Sequence, residues 1–205
     1  MAVYNSAMNM AHSERDVKAH ILDTAQGIMG QRGFSAVGLN ELLKAADVPK
    51  GSFYHYFASK EAFGVALLER YFSHYMAGLN ELLSNPNGTA VSRLMDYWQR
   101  WVDTQAGSDL HSRCLVVKLG AEVSDLSEDM RQVLEQGTAQ LLARLTGEIA
   151  LAQSQGDISK TVAPEELASA LYQMWLGASM LAKVTQTKAP LESALAATKR
   201  LMSED

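Results

Sequence analysis

Apolar residues recur at helical spacing along almost the whole chain. The first stripe holds Val17, Ile21, Ala25 and Met29, and the pattern resumes in segment after segment. Intervals of three and four residues predict amphipathic helices, and no segment alternates apolar and polar positions between hairpin turns as a strand would. The sequence therefore predicts an all-α fold.

Turn-forming residues divide this pattern into nine helical segments. Gly33 supplies a left-handed stop, and Pro49 ends the second helix because proline disfavours helical geometry in the residue before it. Asp47, in the turn before that proline, tolerates left-handed backbone better than most residues. The predicted helices cover residues 14–32, 39–46, 50–56, 60–84, 90–106, 111–124, 127–155, 164–185 and 190–202.

Composition is that of a protein with a real core. The chain has 205 residues, of which 47% are hydrophobic and 20% charged. Its single cysteine, Cys114, excludes a disulfide framework, and no apolar run is long enough for a membrane-spanning helix. The N-terminus lacks the basic start and apolar stretch of a secretory signal. We therefore expect a soluble protein in a reducing cytoplasm, with no membrane partner.

The charge is unevenly distributed. The net charge of −5 comes from 18 basic and 23 acidic residues, and residues 1–64 carry equal numbers of each. An acidic protein is a poor candidate for coating nucleic acid in bulk. Any contact with a polyanion is therefore expected in the N-terminal third.

The third predicted helix has the chemistry of a DNA reader. Phe53 and Phe57 lie four residues apart and can anchor one face in a core, which turns the polar residues outward. Such a helix fits the major groove, where Lys, Ser and His meet base edges and Tyr reaches phosphates. The candidate contacts are Lys50, Gly51, Ser52, Tyr54 and His55, with Lys60 in the next helix suited to a phosphate. The alternative is an ordinary helical hairpin with core aromatics and a solvated lysine.

Residues 33–63, with VPKGSFYHYFASKEAF at their centre, resemble the DNA-binding region of the tetracycline-repressor (TetR) family of bacterial regulators. The resemblance implies a homodimeric repressor on palindromic double-stranded operator DNA at the nucleoid, released by a small-molecule inducer. It implies a flexible arm at residues 1–13, a helix-turn-helix domain at 14–60, and a sensor and dimerisation domain at 61–205. Family roles map onto Asn40, Lys50, Gly51, Ser52, Tyr54, His55, Tyr56 and Lys60. Gly38 replaces the usual Thr before the second helix and can cap it only weakly.

Two further stretches, RCLVVKLGAEVSDLSEDMR and WLGASMLAK, are similar to a branch of that family that responds to N-ethylmaleimide. This similarity implies sensing of reactive electrophiles through a thiol. Cys114 would lie in the opening turn of a predicted helix, beside His111 and Arg113 and one turn before Lys118, where positive charge favours the thiolate. The alternative is that Cys114 is a small buried apolar residue, as most unpaired cysteines are.

Lys183 follows a small and apolar run. If that face is buried, the ammonium needs an anionic partner such as a thiolate, and otherwise it extends from the helix end to solvent. Tyr172 and Trp175, with Trp98 and Trp101, can line a ligand pocket or form plain core.

An enzyme or carrier is the alternative from another class. The chain has no glycine-rich phosphate loop and no Gly-x-Ser-x-Gly elbow, and its histidines lack the spacing of a metal site. We therefore predict no catalytic residues, no metal and no cofactor. Within regulation, reversible binding of a small ligand without thiol chemistry stays open.

Overall fold

The computed structural model describes residues 2–106 and 114–203, and within these ranges it is helical without any strand. The all-α prediction is confirmed. The helices are α1 (Ala2–Arg32), α2 (Leu39–Ala45), α3 (Lys50–Tyr56), α4 (Lys60–Leu83), α5 (Ala90–Ala106), α6 (Leu115–Leu126), α7 (Glu128–Gln155), α8 (Pro164–Thr185) and α9 (Ala189–Leu201).

Three helix boundaries, those of α3, α5 and α8, are as predicted. Two starts differ. Helix α1 begins at Ala2 rather than at residue 14, through most of the segment interpreted as an arm, because that segment contains neither glycine nor proline to stop it. Helix α6 begins at Leu115, so Cys114 lies immediately before the helix and not within its first turn.

The chain divides into two compact units. The first contains the residues up to Tyr71 together with Lys118–Val133, and the second contains Phe72–Val117 and the chain from Leu134 onward. Helices α4, α6 and α7 each contribute residues to both units. No helix in the described ranges is long and apolar enough to cross a membrane.

In the first unit, three phenylalanine rings hold the short helix α3. The ring centroids are 5.0 Å apart for Phe53 and Phe57, 5.4 Å for Phe53 and Phe63, and 5.1 Å for Phe57 and Phe63. All three side chains are at most 2% exposed. Since an isolated helix of seven residues is unstable in water, this burial keeps α3 folded.

The turn between α2 and α3 has the predicted backbone. Asp47 adopts a left-handed conformation with φ 52°, and the Val48 amide donates to the Leu43 carbonyl at 3.0 Å. The side chain of His20 in α1 forms a hydrogen bond at the C-terminal end of α2, where its Nε2 lies 2.9 Å from the Ala46 carbonyl oxygen. The turn is therefore fixed by local geometry and by a contact from α1.

The loop between α1 and α2 is held by Glu122 of α6. Its carboxylate accepts hydrogen bonds from the amides of Phe34 at 3.0 Å and Ser35 at 2.7 Å. Burial acts to raise the pKa of Glu122, but these hydrogen bonds outweigh it, and the pKa is lowered. Gly33 begins this loop with φ 98°, and an added Cβ there would lie 2.9 Å from Glu122 Oε2. Glycine is therefore required by both conformation and space.

The second unit has a core rich in aromatic residues. Leu94, Trp98 and Trp175 are fully buried, and Cys114 is only 5% exposed in the same cluster. Its one described buried carboxylate, Glu148, is paired with Arg93 and Arg144 at 2.6 and 2.8 Å. The buried charge of Glu148 is tolerated because each carboxylate oxygen forms an ion pair with an arginine.

We predict that Glu122→Gln destabilises the protein by about 1 kcal/mol at neutral pH, because an amide is a weaker acceptor than a carboxylate for two backbone donors. A lowered pKa stabilises the fold above the ordinary value of 4.5, and this stabilisation is lost as the pH falls through the folded-state pKa. Urea unfolding at pH 7 and at pH 3 measures both effects.

The matched control is Asp125→Asn, an exposed carboxylate on the same helix. It should leave the midpoint at pH 7 nearly unchanged. Equal effects of the two substitutions would contradict a specific role for Glu122.

Candidate DNA-binding and sensor sites

Helix α3 presents a polar face to solvent. Lys50, Gly51, Tyr54 and His55 are exposed, with Tyr54 at 54%, whereas Phe53 is fully buried. Ser52 and Tyr56 are half-buried at the edges of this face. The division into an anchored face and a donor-rich face is as the spacing predicted, and a helix of this kind suits the major groove.

A cleft of about 460 Å³ lies beside this face, lined by Asn40, Leu43, Lys44, Asp47, Val48, Pro49 and Lys50. Asn40 is exposed on α2, so its side chain and Lys50 open onto the same concave surface. Lys44, which sequence reasoning did not select, adds a second ammonium to it. The signal was available, since Lys44 is the basic residue in the last turn of α2.

Lys60 has a structural contact that the sequence did not reveal. Its ammonium donates to the Val37 carbonyl at 2.9 Å and lies 5.0 Å from the centre of the Phe34 ring. Ser59 caps α4, with its hydroxyl oxygen accepting a hydrogen bond from the Ala62 amide at 3.0 Å. Gly38 provides no side-chain cap to α2, as its lack of a side chain predicts.

Three buried tyrosines, Tyr75, Tyr97 and Tyr172, interact electrostatically with Cys114. The hydroxyls of Tyr75 and Tyr97 lie 2.8 Å apart in a hydrogen bond. Burial raises the pKa of Tyr75, Tyr97 and Tyr172, and interaction with Cys114 raises each of them further. All three phenols therefore stay protonated at neutral pH. Tyr75 and Tyr97 were not selected from the sequence, because nothing in the sequence indicates that α4 and α5 bring them into the same cluster as Cys114.

Trp175 belongs to the core of this unit. Its ring is stacked on Trp98 at 5.1 Å, and its Nε1 donates to the Thr198 hydroxyl at 3.0 Å. Trp101 Nε1 similarly donates to the Ser179 hydroxyl at 2.9 Å. Among the described residues, two buried side-chain polar atoms have no hydrogen-bond partner, and they are Trp98 Nε1 and Tyr172 Oη.

Two of the cations considered as partners of Cys114, Lys118 and Lys183, lie within the described residues. Lys118 is half-buried on α6, where its charge lowers the pKa of Glu122. Lys183 is exposed on α8, which favours the alternative that its ammonium extends to solvent. His111 and Arg113 lie outside the described residues.

An apolar stripe on α8 is open to solvent. Met180, Leu181 and Val184 are 63%, 55% and 71% exposed, and Gly177 precedes them at helical spacing. A Cβ added at Gly177 would have no neighbour within 4 Å. An exposed apolar stripe of this kind is typical of a helix that packs against a partner.

Comparison with known proteins matches both parts of the chain. The model for bacterial regulatory proteins of the tetR family matches residues 21–67, and that for the tetracyclin repressor-like C-terminal domain matches residues 90–198. The first range contains the exposed face of α3, and the second contains Cys114.

Individual relatives are consistent with these family matches. The transcriptional repressor NemR of Escherichia coli is 43% identical over 94% of this chain and 96% of its own length. The repressor DhaR of a Mycobacterium species is 31% identical over 87% of this chain and 88% of its own. The crystal structure of the reduced form of E. coli NemR matches with a TM-score of 0.87, over 93% of this chain and 98% of that one.

Members of this family bind operator DNA, form dimers and respond to small-molecule effectors. The matched relatives are regulators and not enzymes. The chain therefore belongs to the TetR family and is a transcriptional repressor of that type.

Proposed function

We propose that this repressor binds a palindromic operator as a homodimer and releases it when an electrophile or oxidant modifies the thiol of Cys114. The proposal rests chiefly on one observation. The single cysteine of the chain is buried in the aromatic core of the second unit, at the position just before α6. The amides at a helix N-terminus favour the thiolate, which is the reactive form.

Similarity supports the thiol chemistry. The related crystal structure is described as the reduced form of NemR, so a reduced state is distinguished for that protein. At 43% identity over nearly the whole chain, a shared mode of sensing is a reasonable inference. Acting on chromosomal DNA would place the protein in the bacterial cytoplasm.

Helix α6 offers a route from the thiol to the DNA-binding helices. It begins directly after Cys114, and two turns later it carries Glu122, which holds the amides of Phe34 and Ser35. A group added at Cys114 needs space in a close-packed core. We infer that α6 shifts to provide it and that Glu122 moves the α1–α2 loop with it.

A reversible ligand is the second candidate inducer. The unpartnered Trp98 Nε1 and Tyr172 Oη favour it, because buried polar atoms normally have hydrogen-bond partners and a bound ligand could supply them. The Cys114 substitution below separates this mechanism from covalent sensing.

On DNA, we expect Tyr54→Phe and Lys50→Ala each to weaken operator binding by roughly three- to tenfold, because each removes one polar contact to the duplex. If Lys50 contacts a phosphate, the slope of log affinity against log salt falls by about one in its variant. Gel-shift titration on the promoter region beside its own gene measures both. Lys60→Ala is avoided because Lys60 also bonds Val37.

The control for this experiment is Lys199→Ala, which removes an exposed cation from α9 in the second unit. It should bind DNA as the wild type does. If Tyr54→Phe and Lys50→Ala also bind with unchanged affinity, α3 is not the reading helix.

For the dimer, we expect Val184→Glu to yield a monomer, because a carboxylate on the exposed stripe of α8 would be buried unpaired against the partner. Two recognition helices must lie about 34 to 36 Å apart, or a multiple of it, to enter successive major grooves, so the monomer should also lose operator binding. Light scattering at micromolar concentration gives the mass. Val162→Glu, at an exposed valine outside the helices, should stay dimeric, and a monomeric wild type would refute the model.

For the sensor, we expect N-ethylmaleimide to release wild-type protein from DNA and to leave Cys114→Ser bound. A coupling of about 1 to 3 kcal/mol, typical of allosteric proteins, corresponds to roughly five- to 150-fold in affinity. Gel shifts after removal of excess reagent measure it. Release of the serine variant as readily as the wild type would exclude the thiol switch and favour the reversible ligand.

A further inference from the structure

The cleft between α2 and α3 has an uneven charge. Its lining contains two ammonium groups, those of Lys44 and Lys50, and one carboxylate, that of Asp47. These three residues are exposed, and the rest of the lining is apolar apart from Asn40. A concave surface with an excess of one positive charge attracts an anion, because low-dielectric walls focus the field of the charges.

Lys44 is available to such an anion. The acidic residue of α2, Glu41, lies one turn earlier and is bonded to Arg32 of α1. Among the residues that the structure describes, the Lys44 ammonium takes part in no hydrogen bond or ion pair. Lys60 differs, because its ammonium already donates to the Val37 carbonyl. Lys44 therefore keeps its charge for a partner outside the chain.

The position of Lys44 indicates which anion it meets. When the second helix of a helix-turn-helix lies in the major groove, the first helix crosses the DNA backbone. Helix α2 precedes the proposed reading helix α3 and carries Lys44 in its last turn. An ammonium is a compact point charge, which suits a phosphate oxygen better than the paired acceptors of a base edge. The expected ligand is therefore a backbone phosphate.

Asp47 brings the opposite charge to the same cleft. It follows α2 in the left-handed conformation of the turn, with φ 52°. A carboxylate has acceptors only, and a phosphodiester has no donor to offer it. Asp47 therefore repels the group that Lys44 attracts. The backbone does not require this charge, since asparagine also adopts left-handed geometry.

We propose that Lys44 binds a backbone phosphate of the DNA and that Asp47 weakens this contact, so that the two residues set the sequence-independent part of the affinity. Phosphate contacts contribute to binding at every site, whereas base contacts separate an operator from other DNA. A carboxylate beside the phosphate lowers the affinity for all sequences and leaves discrimination to α3. The proposal rests on DNA binding through α3 and adds two residues outside that helix.

The first test removes the ammonium with Lys44→Gln, which keeps a good helix former at this position. We expect binding to the operator and to a scrambled duplex of the same length to weaken by one common factor, roughly three- to tenfold. The slope of log affinity against log salt should fall by about 0.9 for each protomer bound. Fluorescence anisotropy titrations of both duplexes at several salt concentrations measure these quantities.

Lys199→Gln is the matched control, because it removes an exposed cation from α9 in the second unit. It should bind both duplexes as the wild type does. Unchanged affinity of Lys44→Gln would overturn the phosphate contact. A loss confined to the operator would also overturn it, because that result indicates a base contact.

Failure of this proposal is distinguishable from failure of the proposed function. If Tyr54→Phe weakens operator binding and Lys44→Gln does not, the cleft has no role and α3 still reads the DNA. If neither Tyr54→Phe nor Lys50→Ala has an effect, α3 itself is not the reading helix.

The second test removes the opposing charge with Asp47→Asn, an isosteric change that suits the same backbone. Both duplexes should bind roughly two- to fivefold more tightly, since exposed charges interact only modestly in water. Because Asp47 acts on the phosphate at Lys44, the gain should be smaller when Lys44→Gln is also present, which a double-mutant cycle measures.

Asp125→Asn is the control for this change, because it neutralises an exposed carboxylate of α6 in the same unit. It should alter neither affinity. Unchanged or weaker binding by Asp47→Asn, or an equal gain with and without Lys44→Gln, would overturn the role of Asp47.

Discussion

Burial of Phe53 and Phe57 is the constraint on which the proposed DNA contacts of α3 depend. Helix α3 has only seven residues, too few to be stable by its own hydrogen bonds. The two rings pack with Phe63 of α4 and fix the helix in position and rotation. The polar side chains on the opposite face, Tyr54 above all, are therefore positioned by apolar contacts on the buried face.

The second unit contains, inside its core, the thiol that we propose as the sensor. Cys114 is 5% exposed, yet polar hydroxyls lie among the aromatic residues around it. Tyr75 and Tyr97 satisfy each other, while Tyr172 and Trp98 do not find partners. Leaving such donors unpaired costs stability.

Glu122 connects α6 to the loop between α1 and α2. Its carboxylate replaces the water that would otherwise solvate two amides of the α1–α2 loop, and its lowered pKa keeps it charged at neutral pH. Gly33 accepts this close approach because it has no side chain. The position of that loop is therefore sensitive to any shift of α6.

Most of the fold follows from local pattern. Helical periodicity predicted the fold class, and turn chemistry predicted the left-handed Asp47 and Gly33, since backbone preference is a property of each residue and its neighbours. The start of α1 was missed because no capping residue marks Ala2. The outward face of α3 also followed from spacing, because two buried rings four residues apart leave only one orientation.

The partners of individual side chains were decided by tertiary structure. Lys60 bonds to Val37, Glu122 holds Phe34 and Ser35, and Tyr75 joins Tyr97 near Cys114, across separations that no local pattern records. The exposure of Lys183 could not be predicted, because the sequence of an apolar helix segment does not show which side of the helix faces solvent. The sequence by itself determined which helices form and which chemistry they carry. Only packing decided which groups meet, because contacts between distant residues depend on how the helices are arranged in space.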